Sequence, residues 1–171
     1  NNIILIGMPG AGKSTVGVIL AKRIGFDFID TDLIIQARER CRLQQTIDRY
    51  GLDYFRHAEE QALLALHMER CVIATGGSVV YCPGGLEELG RSGYQIYLEV
   101  GLKELEKRIA DMGQRGLVMT KEQTFADLYH ERTPLYDKAC DLKVSCAGRN
   151  AEQVAAAVER AIEQNWPEIL T

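Results

Sequence analysis

Nine residues carry the clearest chemistry in this chain: Gly7-Met8-Pro9-Gly10-Ala11-Gly12-Lys13-Ser14-Thr15, which follow the apolar run Ile3-Ile4-Leu5-Ile6 and lead into a helical pattern. In that setting G-x-x-x-x-G-K-[ST] reads as a phosphate-binding loop. Its glycines let the backbone curl so that successive N–H groups face a nucleotide's phosphates, and the helix behind adds the positive end of its dipole. Gly10, Ala11, Gly12, Lys13, Ser14 and Thr15 are therefore the candidate nucleotide-binding residues. Lys13 is predicted to reach the β- and γ-phosphates, and the Ser14 hydroxyl to ligate Mg²⁺.

The loop by itself suits a switch, a motor or a kinase, so a second set of residues must decide. No N-K-x-D base-reading motif is present, and Asp48-Arg49-Tyr50-Gly51 matches D-x-x-G only by letter, since it follows Gln44-Gln45-Thr46 and not a buried strand. The later apolar strand Cys71-Val72-Ile73-Ala74-Thr75 runs into Gly76-Gly77-Ser78 where a motor ATPase would place an acid. Carboxylates come earlier instead, as Asp30-Thr31-Asp32 at the end of the second strand. At the carboxyl end of a parallel strand they sit on the rim where open α/β folds bind ligands. Asp30 is assigned to the Mg²⁺ shell with Ser14, and Asp32 to a substrate hydroxyl as acceptor or base, with helix capping as the alternative role for Asp32.

Four features join this pair. Arg56 in Phe55-Arg56-His57-Ala58-Glu59 has an acid one turn on, which also reads as a surface i, i+3 pair. Gly76-Gly77 permit close backbone approach to a ligand. Arg115 stands between Gly113 and Gly116, where it can fold over a transferring phosphate. Arg132 precedes Thr133-Pro134-Leu135-Tyr136, whose proline interrupts a helical pattern.

These residues need a scaffold, and the sequence predicts one. Strand-like runs at Ile3–Ile6, Phe26–Ile29, Cys71–Ala74, Gln95–Glu99 and Leu142–Ser145 alternate with helix-length segments, which predicts an α/β fold with a mostly parallel sheet covered on both faces. The last helix, with Val154, Val158, Ala161 and Ile162 at helical spacing, is scaffold. The segment from Ala110 to Lys121 has little apolar periodicity and reads as a mobile lid.

Composition bounds the setting. At 171 residues and 46% hydrophobic, the chain suits one compact domain, 1–171, and is short for two. A net charge of -4 gives no basic field for nucleic acid. Apolar runs are strand-sized and no signal-peptide pattern opens the sequence, so the expectation is a cytoplasmic protein with no membrane partner. Cys41, Cys71, Cys82, Cys140 and Cys146 form no C-x-x-C pair and read as reduced thiols.

From the glycine loop through the D-x-D pair, the F-R-x-x-E element, the glycine turn, the lid arginine and the R-x-P-L-Y segment, the chain resembles the shikimate kinases, small members of the nucleoside-monophosphate-kinase-like P-loop group. The resemblance implies a five-stranded parallel sheet in the order 2-3-1-4-5, ATP as donor and a lid that closes over it. It also implies that Asp32 binds the acceptor hydroxyls, Arg56 and Arg132 its carboxylate, Gly76 and Gly77 its ring, and Arg115 the transferring phosphate. Arg108 and Arg149 fall in regions that lie against adenine. Ser78 stands where the family usually has a third glycine, Gly116 where the lid usually has proline, and Leu52 where glutamate usually follows glycine. Ser78 bears on which acceptor is held; Gly116 raises the entropy lost when a lid orders.

The reading is an ATP- and Mg²⁺-dependent kinase, expected as a monomer, with Lys13, Asp32 and Arg115 catalytic and a small hydroxy acid as acceptor. The 3-hydroxyl of shikimate is the first choice. Gluconate and homoserine offer the same pairing of carboxylate and hydroxyl, and a regulatory nucleotide-binding module is the alternative from another class.

Overall fold

The computed structural model of the protein describes residues 1–112 and 122–170. Five strands, β1 (Asn2–Ile6), β2 (Asp27–Asp30), β3 (Cys71–Ala74), β4 (Gly93–Glu99) and β5 (Leu142–Ser145), form one parallel sheet in the order β2-β3-β1-β4-β5. The five expected strands and their order are therefore found, with β2 entered one residue later and β4 two residues earlier than the apolar runs suggest. All five residues of the central strand are buried. Side chains alternate between faces of a strand, so this requires cover on both sides.

The cover comes from helices α1 (Lys13–Ile24), α2 (Thr31–Glu39), α3 (Leu43–Tyr50), α4 (Leu52–Leu64), α5 (Pro83–Ser92), α6 (Leu102–Met112), α7 (Phe125–Ala139) and α8 (Ala151–Asn165). Helix α1 packs against α8 and the β1–β3 side of the sheet, while α5 lies on β1 and β4. Val154, Val158 and Ile162 of α8 are buried as scaffold, as their spacing predicts. Helices α2 to α4 carry a satellite core of Ile35, Phe55 and Ala62, separate from the main core under the sheet. That arm occupies the interval between β2 and β3, on the same rim as the phosphate loop.

One expectation about helices is adjusted and one is met. The stretch that reads as a lid from Ala110 begins inside α6, which continues to Met112; Arg115 and its flanking glycines lie outside the described residues. Pro134 lies within α7 and does not end it. All five cysteines are free thiols, and among the described residues no helix is long and apolar enough to cross a membrane.

Candidate active site

Between β1 and α1 the chain turns through Gly10 (φ 81°) and Gly12 (φ 91°), left-handed conformations that a Cβ would strain. Gly12 caps α1 without a side chain, leaving the first N–H groups of the helix directed out of the turn. Lys13 opens that helix, yet its ammonium curls back: Nζ donates to the carbonyls of Gly7 (2.7 Å) and Met8 (2.9 Å), and only 8% of the residue is exposed. Lys13 thus braces the loop from within. Burial pulls its pKa down to about 8, against the opposing pull of Asp32 and Asp30.

At the end of β2, the capping role falls to Asp30 and not to Asp32. Asp30 Oδ1 accepts from the Asp32 N–H at 2.9 Å, and its Oδ2 accepts from the Ser14 hydroxyl at 2.6 Å. One carboxylate therefore joins α2 to the phosphate loop. Asp32, in the first turn of α2, turns its side chain toward Gly76. Desolvation, with the Asp30 charge beside it, raises the Asp32 carboxyl to about 6; Lys13 acts in the opposite direction.

The turn after β3 completes the rim. The Gly76 N–H donates to Thr31 Oγ1 at 3.2 Å, and a Cβ at Gly76 would lie 2.7 Å from Glu59 Oε1 and 2.8 Å from Asp32 Oδ1. A Cβ at Gly77 would lie 2.7 Å from Pro9 Cδ and 3.2 Å from Arg132 Nη1. Both positions are bare because neighbours already fill the space, which gives the expected glycine requirement a packing cause. Ser78 is the second residue of a 3₁₀ turn, Gly77–Tyr81, and its hydroxyl donates a 2.6 Å hydrogen bond to Glu59 Oε2.

Glu59 departs most from the sequence reading. The spacing from Arg56 suggests an exposed ion pair, but Glu59 is fully buried, with Cys82 Sγ 3.7 Å from the same oxygen that Ser78 holds. Burial pushes its carboxyl up to about 7, and the Ser78 hydrogen bond works against that rise. The signal was present in the F-R-x-x-E element, since an acid one turn from a phenylalanine that is itself core lies on the inward face.

Phosphate loop, Asp32, Gly76, Gly77, Ser78, Arg108, Arg132 and Arg149 all border one cleft of about 1240 Å³. Arg132 is 1% exposed, on α7, with its guanidinium over the Tyr81 ring; Arg56, on α4, lies over the same ring. At the opposite end Arg108 Nη1 donates to the Gly10 and Ala11 carbonyls and Arg149 Nη1 to the Ser145 carbonyl, while Cys146 and Val154 add an apolar wall. Gln36, Arg42 and Gln45 of the α2–α3 arm also border the cleft and carry no motif by which sequence reading finds them. The cleft can thus hold a polyphosphate at the loop, a flat apolar group beside α8, and an anion with a hydroxyl between Arg132 and Asp32.

Residues 9–163 match the family model described as shikimate kinase. The shikimate kinase of Synechococcus sp. (strain RCC307) is 39% identical over 167 residues, spanning 95% of this chain and 83% of that protein. That of Clostridium botulinum (strain Eklund 17B / Type B) is 34% identical over 168 residues, spanning 96% and 99%. Among solved structures, shikimate kinase from Acinetobacter baumannii in complex with shikimate superposes with a TM-score of 0.89 at 29% identity, over 96% of this chain and 94% of that one. Shikimate kinase from Aquifex aeolicus gives 0.83 at 30% identity, over 96% and 98%. Matched by the family model over most of its length, and by relatives above 30% identity of which it covers 83% and 99%, the chain belongs to the shikimate kinase family.

Proposed function

We propose that this protein transfers the γ-phosphoryl group of ATP to the 3-hydroxyl of shikimate, acting as a cytoplasmic monomer. The observation that carries the reading is that the phosphate loop, Asp32 and Arg132 open onto the same cleft, with Gly77 packed bare against both Pro9 and Arg132. The loop N–H groups and Lys13 hold the phosphates, and Arg108 and Arg149 border the adenine end. Arg56 and Arg132 receive the acceptor carboxylate, for which paired guanidinium edges are suited. Asp32 accepts the hydroxyl proton as the new O–P bond forms and the bond from γ-phosphorus to the β,γ-bridging oxygen breaks, leaving its electron pair on ADP. Arg115 is assigned to the transferring phosphate.

Mg²⁺ fits the residues present. Ser14 offers an exposed hydroxyl oxygen 2.6 Å from the Asp30 carboxylate, hard oxygen donors of the kind this ion takes alongside phosphate. When bound there, it neutralises charge developing on the phosphate oxygens. Ser14 would hold it directly and Asp30 would complete its shell.

The test is acceptor-dependent ADP release with shikimate, gluconate and homoserine offered separately. The expected result is turnover dependent on shikimate and at least about a hundredfold less efficient with the others, since polar groups placed for the hydroxyls of one acceptor are left unpaired when an acceptor of another shape binds through the same carboxylate. ADP release indifferent to any acceptor would refute the transfer.

A further inference from the structure

Tyr81 is half-buried at the end of the 3₁₀ turn, and the transfer scheme above gives it no role. Its ring is nonetheless the shared neighbour of both acceptor arginines. The Arg56 guanidinium carbon lies 4.7 Å from the ring centroid and that of Arg132 lies 5.1 Å from it. Both are inside the roughly 6 Å over which the negative face of an aromatic ring attracts a cation. The ring itself is tethered: its hydroxyl donates to Glu131 Oε1, and the other Glu131 oxygen accepts from Gln123 Nε2 at 2.8 Å.

A site that receives a carboxylate with two guanidiniums must hold like charges together. A protein carboxylate between them would do so, but it would occupy the N–H groups the ligand needs and would compete with it. An aromatic face attracts a guanidinium through its plane and leaves the edge donors available. Arg56 Nε meets this requirement, since it is buried and makes no hydrogen bond among the described residues. Glu59, the buried acid among the three on the same helix, has one oxygen engaged by Ser78.

We propose that Tyr81 is the positioning residue that seats Arg56 and Arg132 for the acceptor carboxylate, so that it sets acceptor affinity without taking part in the transfer step. The proposal rests on the acceptor reading given above. Tyr81→Leu removes the ring, whereas Tyr81→Phe keeps it and removes the hydroxyl with its bonds to Glu131 and Arg132.

The experiment measures steady-state kinetics for both variants together with Arg side-chain ¹H–¹⁵N NMR, the two resonances being assigned through Arg56→Lys and Arg132→Lys. Expected for Tyr81→Leu are an acceptor KM raised about tenfold, kcat and the KM for ATP within about twofold, and loss of the ring-current shift on both arginines. Tyr81→Phe should retain the shift and keep the acceptor KM within about threefold. A graded series of fluorinated phenylalanines at position 81 keeps the shape while draining charge from the ring face, and KM should climb with fluorine number; this also serves should Tyr81→Leu misfold. An acceptor KM unmoved in Tyr81→Leu, or flat along the series, would overturn the proposal. A wild type inert toward shikimate would instead refute the acceptor named above, and the kinetics would then run on the acceptor found by screening while the ring-current comparison still decides the seating.

Discussion

Ser78 and Glu59 form a buried pair, with a 2.6 Å hydrogen bond from hydroxyl to carboxylate and exposures of 2% and 0%. The third residue of this glycine turn therefore serves an internal acid, which sets what its substitution is expected to do.

Ser78→Ala should act through Glu59 and not through acceptor choice. Glu59 has its folded pKa raised above the ordinary value, so the stability linked to it is fully present below that ordinary value and is lost as pH rises through about 7. Removing a donor from the ionised form costs about 2 kcal/mol where Glu59 is charged and less where it is protonated. Thermal unfolding at pH 8 should show the larger loss, about 5 °C, and at pH 5.5 a smaller one. The ratio of efficiencies for shikimate and homoserine should move less than about threefold; a larger change would put the hydroxyl back in the acceptor site.

The pH dependence of kcat/KM for ATP should be bell-shaped. Activity falls on the acid side as Asp32, raised to about 6, takes up a proton and can no longer accept one, and on the alkaline side as Lys13, lowered to about 8, loses its charge. Phosphate beside Lys13 favours its charged form, so in the kcat profile the alkaline limb should lie at higher pH than in kcat/KM. Identical alkaline limbs would mean that Lys13 does not set them.

Asp30→Asn isolates charge from capping. Asparagine caps a helix about as well as aspartate, so unfolding should shift by less than about 1 kcal/mol, while the carboxylate beside Ser14 is gone. The Mg²⁺ concentration giving half-maximal rate should rise about tenfold. An unchanged requirement in a folded variant would remove Asp30 from the metal shell.

Arg132→Lys replaces a planar fork with a point charge at a site that is 1% exposed. Acceptor KM should rise at least about tenfold and the KM for ATP less than about twofold. The reverse pattern would place Arg132 at the nucleotide end.

Much of this was legible because it is local. The β1 run and the glycine spacing announce a strand, a turn and a helix N-terminus within fifteen residues, and Ile3 to Ile6 are buried as an unbroken apolar strand should be. Long-range contacts were not legible. Nothing adjacent to Glu59 in sequence announces that Ser78 and Cys82 will meet its carboxylate, so its spacing from Arg56 reads as an exposed pair. Asp30 and Asp32 differ for a similar reason: both carboxylates suit a rim, and only the Ser14 contact from another element decides which one is tied down. Tyr81 has no motif at all, because an aromatic ring serves two arginines from distant helices only once the fold brings them together.

A side chain at Gly77 would press on both Pro9 of the phosphate loop and the Arg132 guanidinium, so donor side and acceptor side pack together over bare main chain. The loop that grips the phosphates and the cation that grips the acceptor meet over a residue with no rotamers and no side-chain length to vary. Side chains deeper in the acceptor end can then be exchanged to hold a different hydroxy acid while the reach of the phosphoryl group stays constant. A scaffold gauged in this way can be given a new acceptor without having its transfer distance set again.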